Sequence, residues 1–374
     1  MSRASFGFAT PLSSSLRHLT HHPFTLISSK PFHFSSLRAA ASAMPDSSGN
    51  FHPSLEVAGG AVDKFLPAFK TLHLPYAPYP LIAWNRHVET IFAAFFRSLP
   101  DVKFRRECLR ARDDGAVALD WVSGDDRNLP SDAPVLILLP GLTGGSDDTY
   151  VRHMLLRARS KGWRVVVFNS RGCGDSPVIT PQFYSASFLG DISEVVNHVG
   201  NRYPRANLYA VGWSLGANIL VRYVGQESFS CPLAGVVSLC NPFNLVIADE
   251  DFRKGFNIVY DKALANALCK IFRRHALLFE DIGGEFNIPL AANAKSAEND
   301  PIAPSRGVPR EDIQKNPNCM LIVTPKGGHL GWVAGGEAPF GAPWTDPIVM
   351  DFLEHLECPR FVSGSTPDLH QLEV

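Results

Sequence analysis

The chain has 374 residues, of which 45% are hydrophobic and 19% are charged. It is therefore long enough and apolar enough to bury a substantial core. A formal net charge of -1 at pH 7 gives no electrostatic reason to expect nucleic acid as a partner, so that class is excluded. The seven cysteines are scattered and form no CxxC pair. We therefore expect no zinc site, no disulfide framework and no cofactor.

Residues 1–44 differ in composition from the rest of the chain. They contain no Asp or Glu, and serines surround the charged residues Arg3, Arg17, Lys30 and Arg38. This composition is typical of an organellar transit peptide, for the chloroplast in preference to the mitochondrion, with a disordered terminus as the alternative. No later stretch reaches the roughly 18 consecutive apolar residues of a membrane span. We expect a soluble mature protein, with a peripheral membrane contact left open.

Strands and helices alternate after an N-terminal extension at residues 45–100, which contains a helix-like stretch at 90–96. Residues 102–110 and 116–121 are predicted to be strands joined by the turn at 113–115. Short apolar runs typical of buried strands follow at 135–139, 164–168, 208–211 and 233–239. Amphipathic segments lie between them at 151–160, 191–202 and 215–225. This order predicts an α/β domain with a mostly parallel sheet over residues 101–374.

The fifth of these six strands leads directly into Gly-Trp-Ser-Leu-Gly at residues 212–216, and a helical run follows. This is the G-x-S-x-G pattern of a nucleophile elbow, in which a strained turn exposes the serine. The glycines are needed because side chains there would collide with neighbouring backbone. Ser214 is therefore the predicted nucleophile of an α/β-hydrolase fold. A merely Gly-rich turn is the alternative.

Acyl transfer also needs N–H donors for the oxyanion of the tetrahedral intermediate. One is expected from Leu215, directly after the nucleophile. The other is expected from Leu142, because Gly141 in the loop at 139–146 lets the chain turn its next N–H towards the site. An ordinary βα loop is the alternative. The loop at 169–176 is expected to support it structurally.

The general base should be a histidine on the loop after the last strand. Residues 319–323 form that strand, and the following Gly-Gly-His sequence makes His329 the candidate base. Four other histidines lie in predicted helices or their flanks and are expected to be surface or packing residues: His87, His153, His198 and His275. Asp300 precedes His329 in the Ser, Asp, His order of this fold and is the candidate acid.

Several motifs together resemble those of the YheT-type α/β-hydrolases, whose plant members are called embryogenesis-associated proteins. They are Asn-Arg-His-Val-Glu-Thr-Ile at 85–91, the loop at 140–144, the elbow at 212–218, Asn-Pro-Phe at 241–243, Asn-Asp-Pro at 299–301 and the loop at 327–331. The resemblance covers about residues 74–356. It implies hydrolysis of carboxylic esters, of acyl lipids or small esters, with Ser214, Asp300 and His329 as the triad.

The chain departs from this family immediately before Asp300. Residues 291–298 contain no β-branched or aromatic residue, so they cannot form the buried strand that normally precedes the acid. The resemblance implies that a cap segment and this strand are missing, as in an alternatively spliced or mis-assembled form. We therefore expect the strands at 233–239 and 319–323 to pair directly or to leave a gap. Asp300 would then lack a rigid support.

A remnant of a cap is predicted at residues 244–290. Apolar side chains recur at helical spacing from Phe256 to Phe272. They form either a helix packed on the sheet or a lid whose apolar face receives acyl chains or touches a membrane. Two functions stay open: an esterase or lipase, with an acyltransferase as its close variant, and a catalytically impaired binding form. Substrate and oligomeric state are not determined.

Overall fold

The computed structural model describes residues 55–282, 289, 291 and 305–358. The predicted transit peptide at residues 1–44 lies outside the described residues. So does Asp300, together with the segment before it whose apolar strand is expected to be missing.

A six-stranded sheet forms the centre of the domain, in the order β2-β3-β5-β4-β6-β7. The strands of the chain are β1 (Glu56–Ala58), β2 (Phe104–Arg110), β3 (Ala116–Val122), β4 (Val135–Leu139), β5 (Arg164–Asn169), β6 (Leu208–Trp213), β7 (Leu233–Leu239) and β8 (Leu321–Val323). β5, β4, β6 and β7 pair in parallel, whereas β2 and β3 form an antiparallel hairpin. The predicted, mostly parallel α/β sheet is confirmed.

Helices cover both faces of this sheet. They are α1 (Val62–Phe65), α2 (Arg86–Phe95), α3 (Asp125–Asn128), α4 (Thr149–Ser160), α5 (Gly190–Arg202), α6 (Leu215–Glu227), α7 (Leu245–Phe252), α8 (Asn257–His275), α9 (Arg310–Lys315) and α10 (Thr345–Glu357). α5 and α6 pack on one face and α4 and α10 on the other. Side chains alternate along each strand, so β4, β5 and β6 contribute to both cores and are buried throughout.

The segment before the sheet packs against the C-terminal helix. Phe65, Phe69 and Leu72 form a third apolar cluster with Trp344 and Ile348, and β1 pairs antiparallel with β8. The N-terminal extension is thereby held on the hydrolase domain by buried apolar surface. This contact also determines where the strand before His329 lies.

The central sheet ends at β7. Within the described residues no strand pairs with the outer edge of β7, and β8 pairs with β1 in a separate two-stranded sheet. Of the two arrangements expected for the sheet, the described residues therefore show a gap, because β7 and β8 do not pair. β7 is only half-buried over most of its length, unlike β4, β5 and β6. An edge strand of this kind keeps unpaired main-chain groups on one side.

Candidate active site

Ser214 lies on a strained turn between β6 and α6. Its φ of 50° and ψ of -117° place a non-glycine residue outside the regions that L-residues normally adopt. Its N–H donates to Leu239 O at 3.0 Å, which joins the turn to the end of β7. Such strain persists only where the surrounding structure fixes the backbone, and it is common at functional sites.

The two glycines of the turn are required by close backbone contacts. A Cβ atom on Gly216 would lie 2.2 Å from Leu139 O, and one on Gly212 would lie 2.7 Å from the Ala217 backbone. No real Cβ atom tolerates such distances. The expected collision of side chains with neighbouring backbone is therefore confirmed. The helix passes directly over the end of β4, which brings Ser214 beside the loop that follows that strand.

His329 contacts Ser214 directly. Its Nε2 atom lies 3.0 Å from Ser214 Oγ, a normal hydrogen-bond distance across 115 residues of sequence. Ser214 is itself only 4% exposed. The structure thus brings together the two residues that the sequence nominated as nucleophile and base.

Burial lowers the pKa of His329 from 6.5 to about 4. Within the described residues, no carboxylate is hydrogen-bonded to its ring. A nearby anion would favour the imidazolium and oppose the effect of burial. The imidazole is consequently neutral at pH 7 and can accept the Ser214 proton, but it is a weak base. The candidate acid, Asp300, lies outside the described residues.

In the loop after β4, the main-chain N–H of Leu142 differs from those of its neighbours. The N–H groups of Gly141 and Thr143 donate to the hydroxyls of Tyr150 and Tyr184, at 3.1 and 2.9 Å. Those of Gly144, Gly145 and Ser146 donate to Gly141 O, Asp148 Oδ2 and Asn169 Oδ1. That of Leu142 has no acceptor among the described residues, and Gly141 lies against Ser214, where an added Cβ would be 3.3 Å from Ser214 Cβ.

Leu215 provides the second free donor. It is the first residue of α6, and helix N-termini leave their first N–H groups without intrahelical acceptors. The described residues supply no side-chain cap at this end. Leu142 and Leu215 adjoin Gly141 and Ser214, and N–H groups that have no acceptor among the described residues can stabilise a developing oxyanion.

The loop after β5 supports the Leu142 loop, as expected. Asn169 Oδ1 accepts hydrogen bonds from the Ser146 N–H at 2.9 Å and from its hydroxyl at 3.0 Å. The two loops also touch through backbone, because a Cβ on Gly145 would lie 2.7 Å from Gly174 Cα. The prediction of structural support is therefore confirmed.

Two cavities flank the Ser214–His329 pair. One, of about 430 Å³, is mainly apolar and is lined by Leu142 and Leu215 together with Leu268, Ile271 and Phe272 of the cap helix α8. The other, of about 470 Å³, is lined by His329 and by polar residues that include Arg86, Tyr260 and Lys326. An apolar cavity thus lies beside Leu215 and a polar one beside His329.

The predicted apolar stripe of the cap divides between two environments. Its C-terminal half, including Phe272, faces the apolar cavity, as the lid interpretation requires. Phe256 and Val259 at the other end are 46% and 53% exposed. No helix in the described ranges is long and apolar enough to cross a membrane.

Comparison with known proteins agrees with this geometry. Residues 134–274 match the family model of the alpha/beta hydrolase fold. The chain is 58% identical to the embryogenesis-associated protein EMB8 of Picea glauca over an alignment of 348 positions that covers 80% of this chain and 76% of that protein. The chain belongs to the embryogenesis-associated family of α/β hydrolases. The predicted family and the predicted α/β-hydrolase fold are therefore confirmed.

Two relatives of lower sequence identity to this chain are named as lipases. The chain is 27% identical to phospholipase ABHD3 of Mus musculus, with 76% of this chain and 79% of that protein covered. It is 30% identical to the monoacylglycerol lipase of Saccharomyces cerevisiae, with 68% and 67% covered. The protein is thus an α/β hydrolase with lipase-like relatives.

Several residues of this hydrolase site were not assigned a role from the sequence. Glu89 and Thr90 lie in the Asn-Arg-His-Val-Glu-Thr-Ile motif, and their side chains accept hydrogen bonds from the loop that carries His329. Glu89 could have been identified from the sequence, because it is a glutamate on the apolar side of an amphipathic helix. Of the four histidines set aside, His87 lines the polar cavity. None of the four is hydrogen-bonded to Ser214 in the part of the chain that the structure describes.

Proposed function

We propose that the protein is a serine hydrolase of carboxylic esters that acts through an acyl-Ser214 intermediate. The observation that carries the proposal is the 3.0 Å contact between Ser214 Oγ and His329 Nε2 at a strained elbow. A nucleophile within hydrogen-bond reach of its base is the geometry that activates a serine. The neutral His329 is in the protonation state that the reaction needs.

In the first half-reaction, Ser214 Oγ attacks the ester carbonyl carbon while His329 Nε2 takes the hydroxyl proton. The negative charge on the carbonyl oxygen is stabilised by the N–H groups of Leu142 and Leu215. Removal of one such donor typically lowers the rate of an enzyme by about 10²–10³-fold. The intermediate collapses by breaking the bond to the alcohol. The alcohol leaves with the proton from His329.

In the second half-reaction, water takes the place of the alcohol. His329 removes one of its protons, the oxygen attacks the acyl carbon, and the acid is released as Ser214 regains its proton. If an alcohol attacks instead of water, the same steps give acyl transfer. Asp300 is proposed as the triad acid; where it faces His329, it orients the imidazole and favours its protonated form.

The substrates are proposed to be acyl lipids or small acyl esters. The apolar cavity beside Leu142 and Leu215 has a suitable lining for an acyl chain, and its volume lies in the range typical of small-molecule sites, about 300–1,000 Å³. The lipase names of the relatives support the same class. A peripheral membrane contact through the exposed Phe256 and Val259 is part of this proposal.

A catalytically impaired binding form is the second candidate. It is favoured by one observation, the pairing of β8 with β1 instead of with the central sheet. An acid that normally follows a strand of that sheet would then have no rigid support. The binding form would keep the apolar cavity but react slowly.

Labelling with a fluorophosphonate probe separates the two candidates, because the probe reacts only with an activated serine. For the esterase we expect labelling of the wild-type protein and hydrolysis of a short-chain nitrophenyl ester, both abolished by Ser214→Ala. Ser160→Ala, at an exposed serine of α4, is the matched control and should keep both activities. An unlabelled wild-type protein that is folded by circular dichroism would favour the binding form.

A further inference from the structure

The loop that carries His329 is attached to α2 by main-chain hydrogen bonds. Glu89 Oε2 accepts from the Gly328 N–H at 2.9 Å, Thr90 Oγ1 from the His329 N–H at 2.9 Å, and Glu89 Oε1 from the Val333 N–H at 2.7 Å. Both ends of the loop and the histidine itself are therefore bound to two adjacent side chains of one helix.

A third side chain holds the carbonyl groups of the same loop. Arg97, two residues beyond the end of α2, donates to Leu330 O at 3.2 Å and also to Gly331 O. Five main-chain groups between residues 328 and 333 are thus bound by Glu89, Thr90 and Arg97. The side chain of Glu89 is fully buried, and that of Arg97 is nearly so.

The loop needs these bonds because its backbone is strained. Leu330 has a φ of 56° and Trp332 a φ of 44°, in the left-handed region that non-glycine residues rarely adopt. Residues stay in such conformations only where the surroundings fix them. Gly328 lies so close to α2 that a Cβ would be 2.5 Å from Arg86 O. The helix therefore defines the path of the loop.

The Thr90 hydroxyl is itself oriented. It donates to Arg86 O at 2.8 Å, which leaves its lone pairs for the His329 N–H. The Glu89 carboxylate accepts two N–H bonds and also lies in the field of Arg97, and both effects oppose the rise in its pKa that burial causes. Neither side chain is hydrogen-bonded to Ser214 within the described residues. Their influence on the reaction acts through the position of His329.

We propose that Glu89 and Thr90 are positioning residues that hold His329 Nε2 within hydrogen-bond distance of Ser214. This inference rests on the proposed esterase function. The strand before His329, β8, lies outside the central sheet. Among the described residues, the histidine loop is therefore not supported by a strand of that sheet. The hydrogen bonds from α2 supply the alternative support. A displacement of about 1 Å at a reacting group can cost about 10²-fold in rate.

The test uses paired substitutions at Thr90 in the full chain. Thr90→Val keeps the shape and removes the acceptor, and we expect the rate of Ser214 labelling and kcat to fall by about 10–100-fold with KM unchanged. Thr90→Ser restores the hydroxyl and should recover most of the rate. Glu89→Gln replaces one accepting oxygen by an N–H₂ group that faces a main-chain N–H, and a similar loss of kcat is expected.

Ala93→Gly is the control for a general loss of stability. Ala93 is buried on the same helix, and its substitution should lower the melting temperature without changing the labelling rate of the folded protein. Labelling of Thr90→Val at the wild-type rate would overturn the inference and leave the esterase proposal intact. If Thr90→Val does not fold, labelling of Glu89→Gln at the wild-type rate would also overturn the inference. Failure of the esterase proposal is recognised separately, because the wild-type protein would then not be labelled.

Discussion

His329 Nε2 lies 3.0 Å from Ser214 Oγ even though the two residues follow strands of different sheets. Ser214 follows β6, which lies next to the edge strand β7 of the six-stranded sheet. His329 follows β8, which among the described strands pairs with β1 alone. The N–H groups of the histidine loop donate to side chains of α2, which support this contact, and no strand of the described residues joins β7 to β8.

The first prediction concerns pH. Because burial lowers the pKa of His329 to about 4, its imidazole stays neutral until the pH approaches that value. Labelling of Ser214 should therefore be constant between about pH 6 and 8 and fall to half near pH 4, since protonation removes the base. Rates of fluorophosphonate labelling across this range provide the measurement. A midpoint near the ordinary histidine pKa would show that an anion, with Asp300 as the candidate, faces the ring.

The same pKa shift has a consequence for stability. The unfolded chain binds a proton at its histidines near pH 6.5, whereas folded His329 does so only near pH 4. Between these values the unfolded state holds more protons, so the contribution of His329 to the free energy of unfolding decreases as the pH falls. Urea titrations at about pH 7 and pH 5 should show a smaller difference in His329→Gln than in the wild-type protein.

The second prediction compares two glycines of α6. Gly216→Ala would place a Cβ 2.2 Å from Leu139 O and should destabilise the protein by about 3 kcal/mol and abolish labelling. Gly225→Ala is the matched control, because nothing lies within 4 Å of its added Cβ. In a helix interior it should stabilise by about 0.5–1 kcal/mol and keep the wild-type labelling rate. Urea denaturation gives both free energies, and equal effects would contradict the elbow geometry.

The third prediction tests the apolar cavity as the acyl site. Ala265 lines it and is buried, so Ala265→Phe should fill part of the space and shift the preferred nitrophenyl ester towards shorter acyl chains. Ala263→Phe, at an exposed position of the same helix, should leave the chain-length profile unchanged. An unchanged profile in Ala265→Phe would place the acyl chain elsewhere.

The fourth prediction concerns the core strand that we expect to be missing before Asp300. An apolar strand inserted before Asp300 should pair with the free edge of β7, raise the yield of soluble protein and increase the labelling rate. The gain can be large, since a core strand contributes an amount comparable to the roughly 5–15 kcal/mol by which domains are stable. The pH midpoint should also rise, because a supported Asp300 favours the imidazolium. Equal activity of both forms would show that the given sequence already holds its acid in place.

The fifth prediction concerns residues 1–44, whose composition we propose to be that of a plastid transit peptide. A fusion to a fluorescent protein should enter plastids, and the mature protein should begin between about residues 38 and 44. Mass spectrometry of the N-terminus provides the measurement. An intact Met1 in the mature protein would contradict processing, and uptake by mitochondria would support the alternative organelle.

Local sequence patterns determined most of the elements in this protein. β4 and β7 have the predicted bounds, and the other central strands differ from prediction by one or two residues at an end. Continuous apolar runs identify buried parallel strands because neither face can be polar. The elbow at Ser214 could also be predicted from the sequence, because only glycine fits on either side of it, where helix and strand backbones touch. Residues close in sequence supply both signals.

The tertiary structure alone decided how the base is held. That β8 pairs with β1, and that Glu89 and Thr90 bind the His329 loop, depends on contacts across more than 200 residues of sequence. Nothing in the local pattern specifies which distant groups will accept a particular main-chain N–H. The sequence nominated Ser214 and His329 as nucleophile and base, whereas long-range packing determined the 3.0 Å between their side chains. That distance results from burying a strained loop whose polar groups must all find partners.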